Sequence, residues 1–290
     1  MADAPKHLDD LRREIDEIDD ALHDLIMRRA AVVERIRGRK GDGVHLRPWR
    51  EATILRRLAG RHRGNFPREV LVRIWREILG AAVRLQGPFS LAVTAIDGSP
   101  EYWVLARDQF GAHTPIVRHN SARHVIGAVL EGAATVGVLP VPTEGEPDPW
   151  WPLLAKDDPS TPRIVARLPF AAPAQAWGER VEALAVARLA PAATGEDRSL
   201  FTLESKEPIS RTRLKDAFAE SILDARFFCS WQDQTAWLHL AEIDGFLAPG
   251  DQRLSRLLNS LGEEGGKTVC LGAYAVPLPP ETADSAGIKR

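Results

Sequence analysis

A chain of 290 residues, 44% apolar and 27% charged, can form one large domain or two to three small ones. It has no run of eighteen apolar residues, which excludes a membrane-spanning helix. MADAPKHLDD has no apolar stretch of the secretory kind, so a cytoplasmic protein is expected. Charge is uneven. Residues 1–88 carry 19 Lys and Arg against 14 Asp and Glu, a net of +5, and the remainder carries 19 against 26, a net of −7. A basic first part suits an anionic ligand. No nucleic-acid-binding motif accompanies the charge, so nucleic acid is not an expected partner.

The first helix is predicted from about Leu8 to Gly38, roughly 45 Å long at 1.5 Å per residue. Its apolar residues are Leu8, Leu11, Ile15, Ile18, Leu22, Leu25, Val32 and Ile36. The steps alternate three and four, the seam of a helix packed on other helices. So long a helix outruns a small domain, and a homodimer is the economical way to cover it. Gly41, Asp42 and Gly43 end it. A second helix covers about Arg50 to His62, after Pro48. A third opens at Pro67 and runs to Gln86, with Leu71, Ile74, Trp75, Ile78, Leu79, Ala82 and Leu85 as its apolar stripe. Gly87-Pro88 stops it and marks a boundary. Residues 1–88 thus read as one long helix followed by two shorter ones, an all-α and dimeric unit.

Beyond Pro88 the texture changes. FSLAVTAI is a strand ending at DGSP. A helix (EYWVLARDQFG), a short strand (PIVRH), a helix (SARHVIGAVLEG) and a buried strand (ATVGVLPV) follow. That βαβαβ rhythm predicts a partly parallel sheet. Residues 142–163 read as loop, and IVARLPF, EALAVARLA and RSLFTLE as strands. From about 208 to 278 the order is a helix (RTRLKDAFAESIL), two strands (ARFFCSW, TAWLHLAEI), a helix from Gln252 to Leu261 and a strand (TVCLGAYA). This βαββαβ-like pattern belongs to small α+β domains. The tail after Pro279 reads as disordered. The fold class is therefore multi-domain: residues 1–88 all-α, 89–205 α/β, 206–280 α+β, and 281–290 a tail.

One position in the first seam is wrong for a core. Between Leu25 and Val32 the spacing asks for an apolar residue and the chain supplies Arg29. A guanidinium turned inward needs an anion, whether a protein carboxylate or a substrate. Lys40 lies about three turns further on, on nearly the same face. Arg12 is about 25 Å from Arg29 along the helix, so one small ligand cannot bridge the two within one chain. An antiparallel partner helix would bring the other subunit's Arg12 close. Gln86 extends the line of Trp75, Leu79 and Ala82 on the third helix, and Arg50 and Glu51 open the second. Inward Arg, Lys, Glu and Gln on three helices make a polar pocket with no Cys, His or Ser nucleophile among them.

The stretches LRREIDEIDDALHDLIMRR, RGRK, RPWREATILRRL and WREIL…LQ resemble, in order and spacing, the all-α chorismate mutase family of the AroQ type. The resemblance covers residues 8–86. It implies an intertwined dimer of three-helix subunits, each site borrowing one Arg from its partner, with chorismate as substrate, prephenate as product and no cofactor or metal. By position, Arg12 matches the borrowed Arg and Arg29 the one that clamps a substrate carboxylate. Lys40 and Gln86 match the pair that bonds the ether oxygen. Glu51 matches the acceptor for the ring hydroxyl, with Arg50 beside it. Arg47 stands where the family commonly has Asp, and Ala82 where a Ser often contacts a carboxylate.

Residues 89–278 resemble the prephenate dehydratase and ACT portions of the bifunctional P-protein, carried by ARDQFG, EGAATVGVLPVP, DRSLFTLE and VCLGAYAVP. The signatures have eroded. Asp97-Gly98-Ser99-Pro100 replaces the Gly-rich turn, and Pro140-Val141-Pro142-Thr143-Glu144 replaces P-I-E-N-S. Asp197-Arg198-Ser199 stands for the catalytic T-R-F, and Cys229-Ser230-Trp231-Gln232 for E-S-R-P. A missing Thr acid argues against dehydratase activity and for a regulatory or docking role. An aromatic amino acid or a neighbouring pathway enzyme is the expected partner. A working mutase–dehydratase, or a prephenate decarboxylase-like activity, is the alternative. Cys229 and Cys270 read as free thiols. His119 and His124 lack further ligands for zinc. Residues 262–267 read as a turn rather than a phosphate loop.

Overall fold

Nothing between Leu8 and Arg37 breaks a helix, and Asp9 and Asp10 sit in the first turn, where carboxylates complement the helix dipole. Arg12 bonds Asp9 at 3.2 Å and Arg13 bonds Asp10, each one turn on. The result is α1, Leu8–Lys40. Proline opens α2, Pro48–Gly60, where its missing N–H costs nothing. Pro67 precedes α3, Arg68–Gln86, and Gly87 follows it. The computed structural model describes residues 7–40, 44–95, 101–171, 181–233, 235–248, 250–262 and 266–280. The expected breaker at 41–43, the turn at 97–100, the centre of the 262–267 turn and the 281–290 tail lie outside the described residues.

Of these helices α2 packs directly on the nine-stranded sheet that the described residues after it form, and α1 and α3 complete the layer beside it. In chain order β1 (Leu91–Thr94), α4 (Glu101–Phe110), β2 (Ile116–His119), α5 (Ala122–Leu130) and β3 (Val136–Pro140) follow one another. All three strands are parallel, as the βαβαβ rhythm requires. The segment predicted as loop contains a 3-10 turn, Trp151–Leu154, with both Trp150 and Trp151 buried. β4 (Arg163–Leu168) and β5 (Ala183–Ala187) then pair antiparallel. The rest runs β6 (Asp197–Ser205), α6 (Arg211–Glu220), β7 (Ala225–Gln232), β8 (Trp237–Asp244), α7 (Gln252–Leu261) and β9 (Thr268–Ala275). Across the sheet the order is β2-β1-β3-β5-β4-β9-β6-β8-β7, with β6 between β9 and β8 and antiparallel to both.

One glycine joins the two halves of the sheet. β4 meets β9 at Ile164 opposite Gly272. Gly272 has φ +142°, and a Cβ there would stand 2.2 Å from the Ile164 carbonyl oxygen. Only glycine fits both the backbone angle and the approach.

Burial divides α1 sharply. Val33 is its buried apolar residue, whereas Leu8, Ile15, Ile18, Leu22 and Leu25 are all more than half exposed. The seam read from the spacing exists, but within one protomer α3 meets only the C-terminal part of α1. The stripe expected on α3 also divides. Leu79 and Ala82 are buried, while Ile74 and Leu85 remain exposed. A second line, Val72, Arg76, Leu79 and Val83, is buried instead, because α3 has α4 and the 169–171 loop on its other side. Gly80 lets α3 approach α4: a Cβ there would meet the Phe110 carbonyl oxygen at 2.3 Å.

Cys229 is buried and Cys270 partly so, both as free thiols, and burial pushes the Cys229 thiol up to about 12. His239 is buried between Ser205, whose Oγ lies 3.1 Å from Nε2, and Ser230, whose Oγ lies 2.8 Å from Nδ1. Burial lowers its pKa from 6.5 to about 4. The unfolded chain therefore binds a proton that the folded chain refuses, and stability is lost as pH falls from 6.5 towards 4. The loss is about 3 kcal/mol at 1.36 kcal/mol per unit. Urea titrations at pH 7 and pH 4.5 should show a pH-dependent difference that shrinks in His239→Gln. An equal pH dependence in the variant would remove His239 as its source.

No described helix is long and apolar enough to cross a membrane. Among the described residues, no group of three or more His, Cys, Asp and Glu converges as a metal site. His124 Nδ1 instead faces Ser121 Oγ at 2.8 Å and Asn120 Oδ1 at 3.0 Å.

Candidate active site

α1 and α3 run side by side in the same direction. The Arg29 guanidinium lies 5.9 Å from the centre of the Trp75 ring, and Arg37 reaches the Leu85 carbonyl at 3.5 Å. Arg29 is half-buried, and burial lowers its pKa while the Glu51 charge draws it back up. The guanidinium that interrupts the α1 seam thus has a definite setting: an aromatic face on α3 and a carboxylate from the first turn of α2. Cation and ring attract, worth about 0.5–1 kcal/mol where water has access.

Glu51 is buried. It enters the core because α2 places it beside Ala52 and one turn before Leu55, both buried. Its Oε2 accepts a 3.0 Å bond from Arg76 Nη1, and Arg76 is itself only 4% exposed. Burial raises the Glu51 pKa, opposed first by Arg76 and then by Arg29. Burial lowers Arg76 to about 10, opposed by Glu51. Arg76 therefore remains a cation at neutral pH, and Glu51 has cations on two sides, from α1 and from α3.

The remaining predicted residues are spread along the helices. Gln86 is partly buried, and its Nε2 donates to the Ala82 carbonyl of its own helix at 2.9 Å. The Lys40 side chain lies outside the described residues. Its backbone closes α1 one turn past Arg37, beside the end of α3 that carries Gln86. Eleven residues separate Arg29 from Lys40 and Trp75 from Gln86, so the two pairs stand at two levels roughly 16 Å apart. Arg12 is exposed on the far part of α1 and pairs with Asp9. Arg50 points to solvent. One protomer therefore brings Arg29 and Glu51 together, sets Gln86 on the adjoining helix, and leaves Arg12 and Arg50 apart from them.

The structure adds Arg76, which the pocket expected from the sequence does not include. The signal was available: Val72, Arg76, Leu79 and Val83 step by four, three and four, and Arg76 interrupts that seam as Arg29 interrupts the first. Gln109 and Phe170, which also touch Arg76, come from distant segments with no such signal.

Asp197, Arg198 and Ser199, which the sequence comparison set against T-R-F, each bond within the chain. Asp197 accepts from Thr194 Oγ1 at 2.6 Å and from the Thr194 and Gly195 amides. Arg198 Nε bonds Asp244 at 3.2 Å. Ser199 is fully buried, donating to the Gly245 carbonyl at 2.9 Å and accepting from the Leu247 amide at 2.8 Å.

Residues 11–87 match the family model of chorismate mutase type II. The chain is also 30% identical over 144 residues to a bifunctional chorismate mutase/prephenate dehydratase from Stutzerimonas stutzeri, covering 47% of this chain and 39% of that protein. The chain thus spans about two fifths of the length of that relative and of the like-named one from Pseudomonas aeruginosa. Among solved structures, a prephenate dehydratase from Streptococcus mutans aligns with a TM-score of 0.47 at 15% identity, over 65% of this chain and 98% of that one. A structure described as a novel type of quorum-quenching acylase aligns with a TM-score of 0.47 at 17% identity, over 66% and 95%.

Proposed function

We propose, from a chain whose residues 11–87 are a chorismate mutase type II domain, that this protein rearranges chorismate to prephenate. The observation that carries the reading is Arg29 of α1 held over the Trp75 ring of α3, close enough to the buried Glu51 of α2 for the two charges to act on each other. The reaction is unimolecular. One C–O bond breaks, one C–C bond forms, and no atom enters or leaves. It needs no nucleophile or proton carrier. It needs two carboxylates held so that the enolpyruvyl arm lies over the ring, which is positioning. It also needs donors where negative charge grows on the ether oxygen.

In this reading Arg29 clamps a substrate carboxylate and Glu51 accepts the ring hydroxyl. Lys40 and Gln86 donate to the ether oxygen. Arg50 borders the site, and a partner subunit's Arg12 supplies the second clamp. Gln86 would exchange its bond to the Ala82 carbonyl for one to substrate. The homodimer belongs to the same proposal, since Arg12 and Arg29 of one chain are too far apart to share a ligand.

The division proposed is a mutase unit over residues 1–88, a dehydratase-like α/β unit over 89–205 and an ACT-like unit over 206–280, with the pairing of β4 and β9 joining the last two in one sheet. The second and third are read as a regulatory or docking part, with an aromatic amino acid or a pathway enzyme as partner. The bonds taken up by Asp197, Arg198 and Ser199 support that reading. The name of the Stutzerimonas relative favours a second one, a working mutase–dehydratase. Product analysis separates them. Full-length protein given chorismate should accumulate prephenate without added metal. Phenylpyruvate formed before any acid treatment would establish the second reading, and unchanged chorismate would remove both.

A further inference from the structure

We propose that Arg76 is a positioning residue for Glu51, and that the α/β part of the chain holds Arg76 in that position through Gln109 and Phe170. The proposal rests on the mutase reading and gives the α/β part a direct physical connection to the mutase site.

The chain of contacts crosses three segments. With its amide oxygen turned towards α3, Gln109 of α4 accepts from both Nη1 and Nη2 of Arg76 at 3.0 Å. The Phe170 ring, on the loop after β4, has the same guanidinium 5.0 Å from its centre. Nη1 also donates to Glu51 at 3.0 Å. Arg76 is thus fixed by an amide and an aromatic ring from the α/β part, and presents its charge to a carboxylate in the mutase unit. A planar guanidinium with several donors can serve both sides at once.

The surroundings make that charge matter. Glu51 is buried, and burial alone favours its neutral form. The charged groups acting on it are Arg76 from α3 and Arg29 from α1. Substrate binding adds carboxylates that draw on Arg29. Arg76 faces away from that clamp, towards a cavity of about 260 Å³ between α3, α4 and the 169–171 loop. Arg73 and Asp108, on that cavity's wall, are paired with each other at 3.0 Å. Arg76 is therefore the cation that keeps Glu51 an acceptor while Arg29 is occupied.

The same helices are joined to the rest of the chain by other bonds. Arg56 reaches Thr194, Glu196 and Val276, and Glu77 accepts from the Ala112 amide. Removing Arg76 therefore leaves other links between the two parts in place. A purely structural Arg76 would change thermal stability and leave the pH dependence of turnover alone.

The test is the pH profile of kcat/KM for chorismate in full-length protein. In Arg76→Met the acid limb should move to higher pH by about one to three units, the usual effect of an opposite charge at this distance on a carboxylate. Turnover should then fall far more at pH 6 than at pH 8. Arg76→Lys keeps the charge and should keep the limb near its wild-type place. Gln109→Met should move it in the same direction by less. A folded Arg76→Met with an unmoved limb overturns the proposal. If Arg76→Met does not fold, a Gln109→Met profile that superimposes on wild type overturns it. Wild-type protein that leaves chorismate unchanged is a different result, which removes the mutase reading and this proposal with it.

Discussion

Arg29→Ala is expected to lower kcat/KM for chorismate by roughly 100- to 1,000-fold, the usual cost of removing one well-placed electrostatic donor. The side chain is half-buried against Trp75 and within reach of the Glu51 charge, so truncation removes one of the two cations that act on that carboxylate. The loss should be catalytic rather than structural. The packing given up is one cation–ring contact, about 0.5–1 kcal/mol, and Val33 continues to anchor α1 in the core. Circular dichroism and chorismate consumption on the same preparation check both halves of the expectation. A folded Arg29→Ala protein with wild-type turnover would move the site elsewhere.

Ile18→Asp combined with Leu22→Asp is expected to convert the protein to monomers and abolish turnover. Both residues lie in the α1 seam, each 53% exposed in one protomer. Full burial of such a side chain is worth about 1.5–3 kcal/mol, and a carboxylate in its place is costly to bury unpaired. Sedimentation should show the change in mass. Wild-type protein that sediments as a monomer at micromolar concentration would sink the shared-site proposal. Subunit mixing gives the finer test. Arg12→Ala and Arg29→Ala proteins, each inactive alone, should regain activity when co-expressed, because one site of the mixed dimer keeps both arginines. Absence of recovery would place Arg12 outside the site.

Much of the fold was legible because side-chain period follows backbone geometry. The three helices of residues 1–88 differ from their predicted bounds by a few residues, and the helix over Gln252–Leu261 and the strand over Thr268–Ala275 sit where the pattern put them. The strands of the βαβαβ stretch are parallel as their spacing implied. The Trp150–Trp151 segment has the Pro and Asp content of a loop, and its composition does not show that the fold buries both aromatic residues. The α3 stripe was half right. One helical period cannot reveal that a helix has neighbours on two sides, and the line through Arg76 faces the second of them.

The sequence by itself determined which charge was out of place. Arg29 breaks an apolar seam, and that needs only spacing and the cost of burying a cation. It also indicated that α1 has a long apolar face to cover. Only the tertiary structure decided what meets that charge, and what stands behind Glu51. Gln109 and Phe170 reach Arg76 from 33 and 94 positions further along the chain. No local period records such pairings, because contacts between distant segments depend on how whole elements dock. Here a glycine at position 80 and a glycine at position 272 set the approach of the surfaces that carry them.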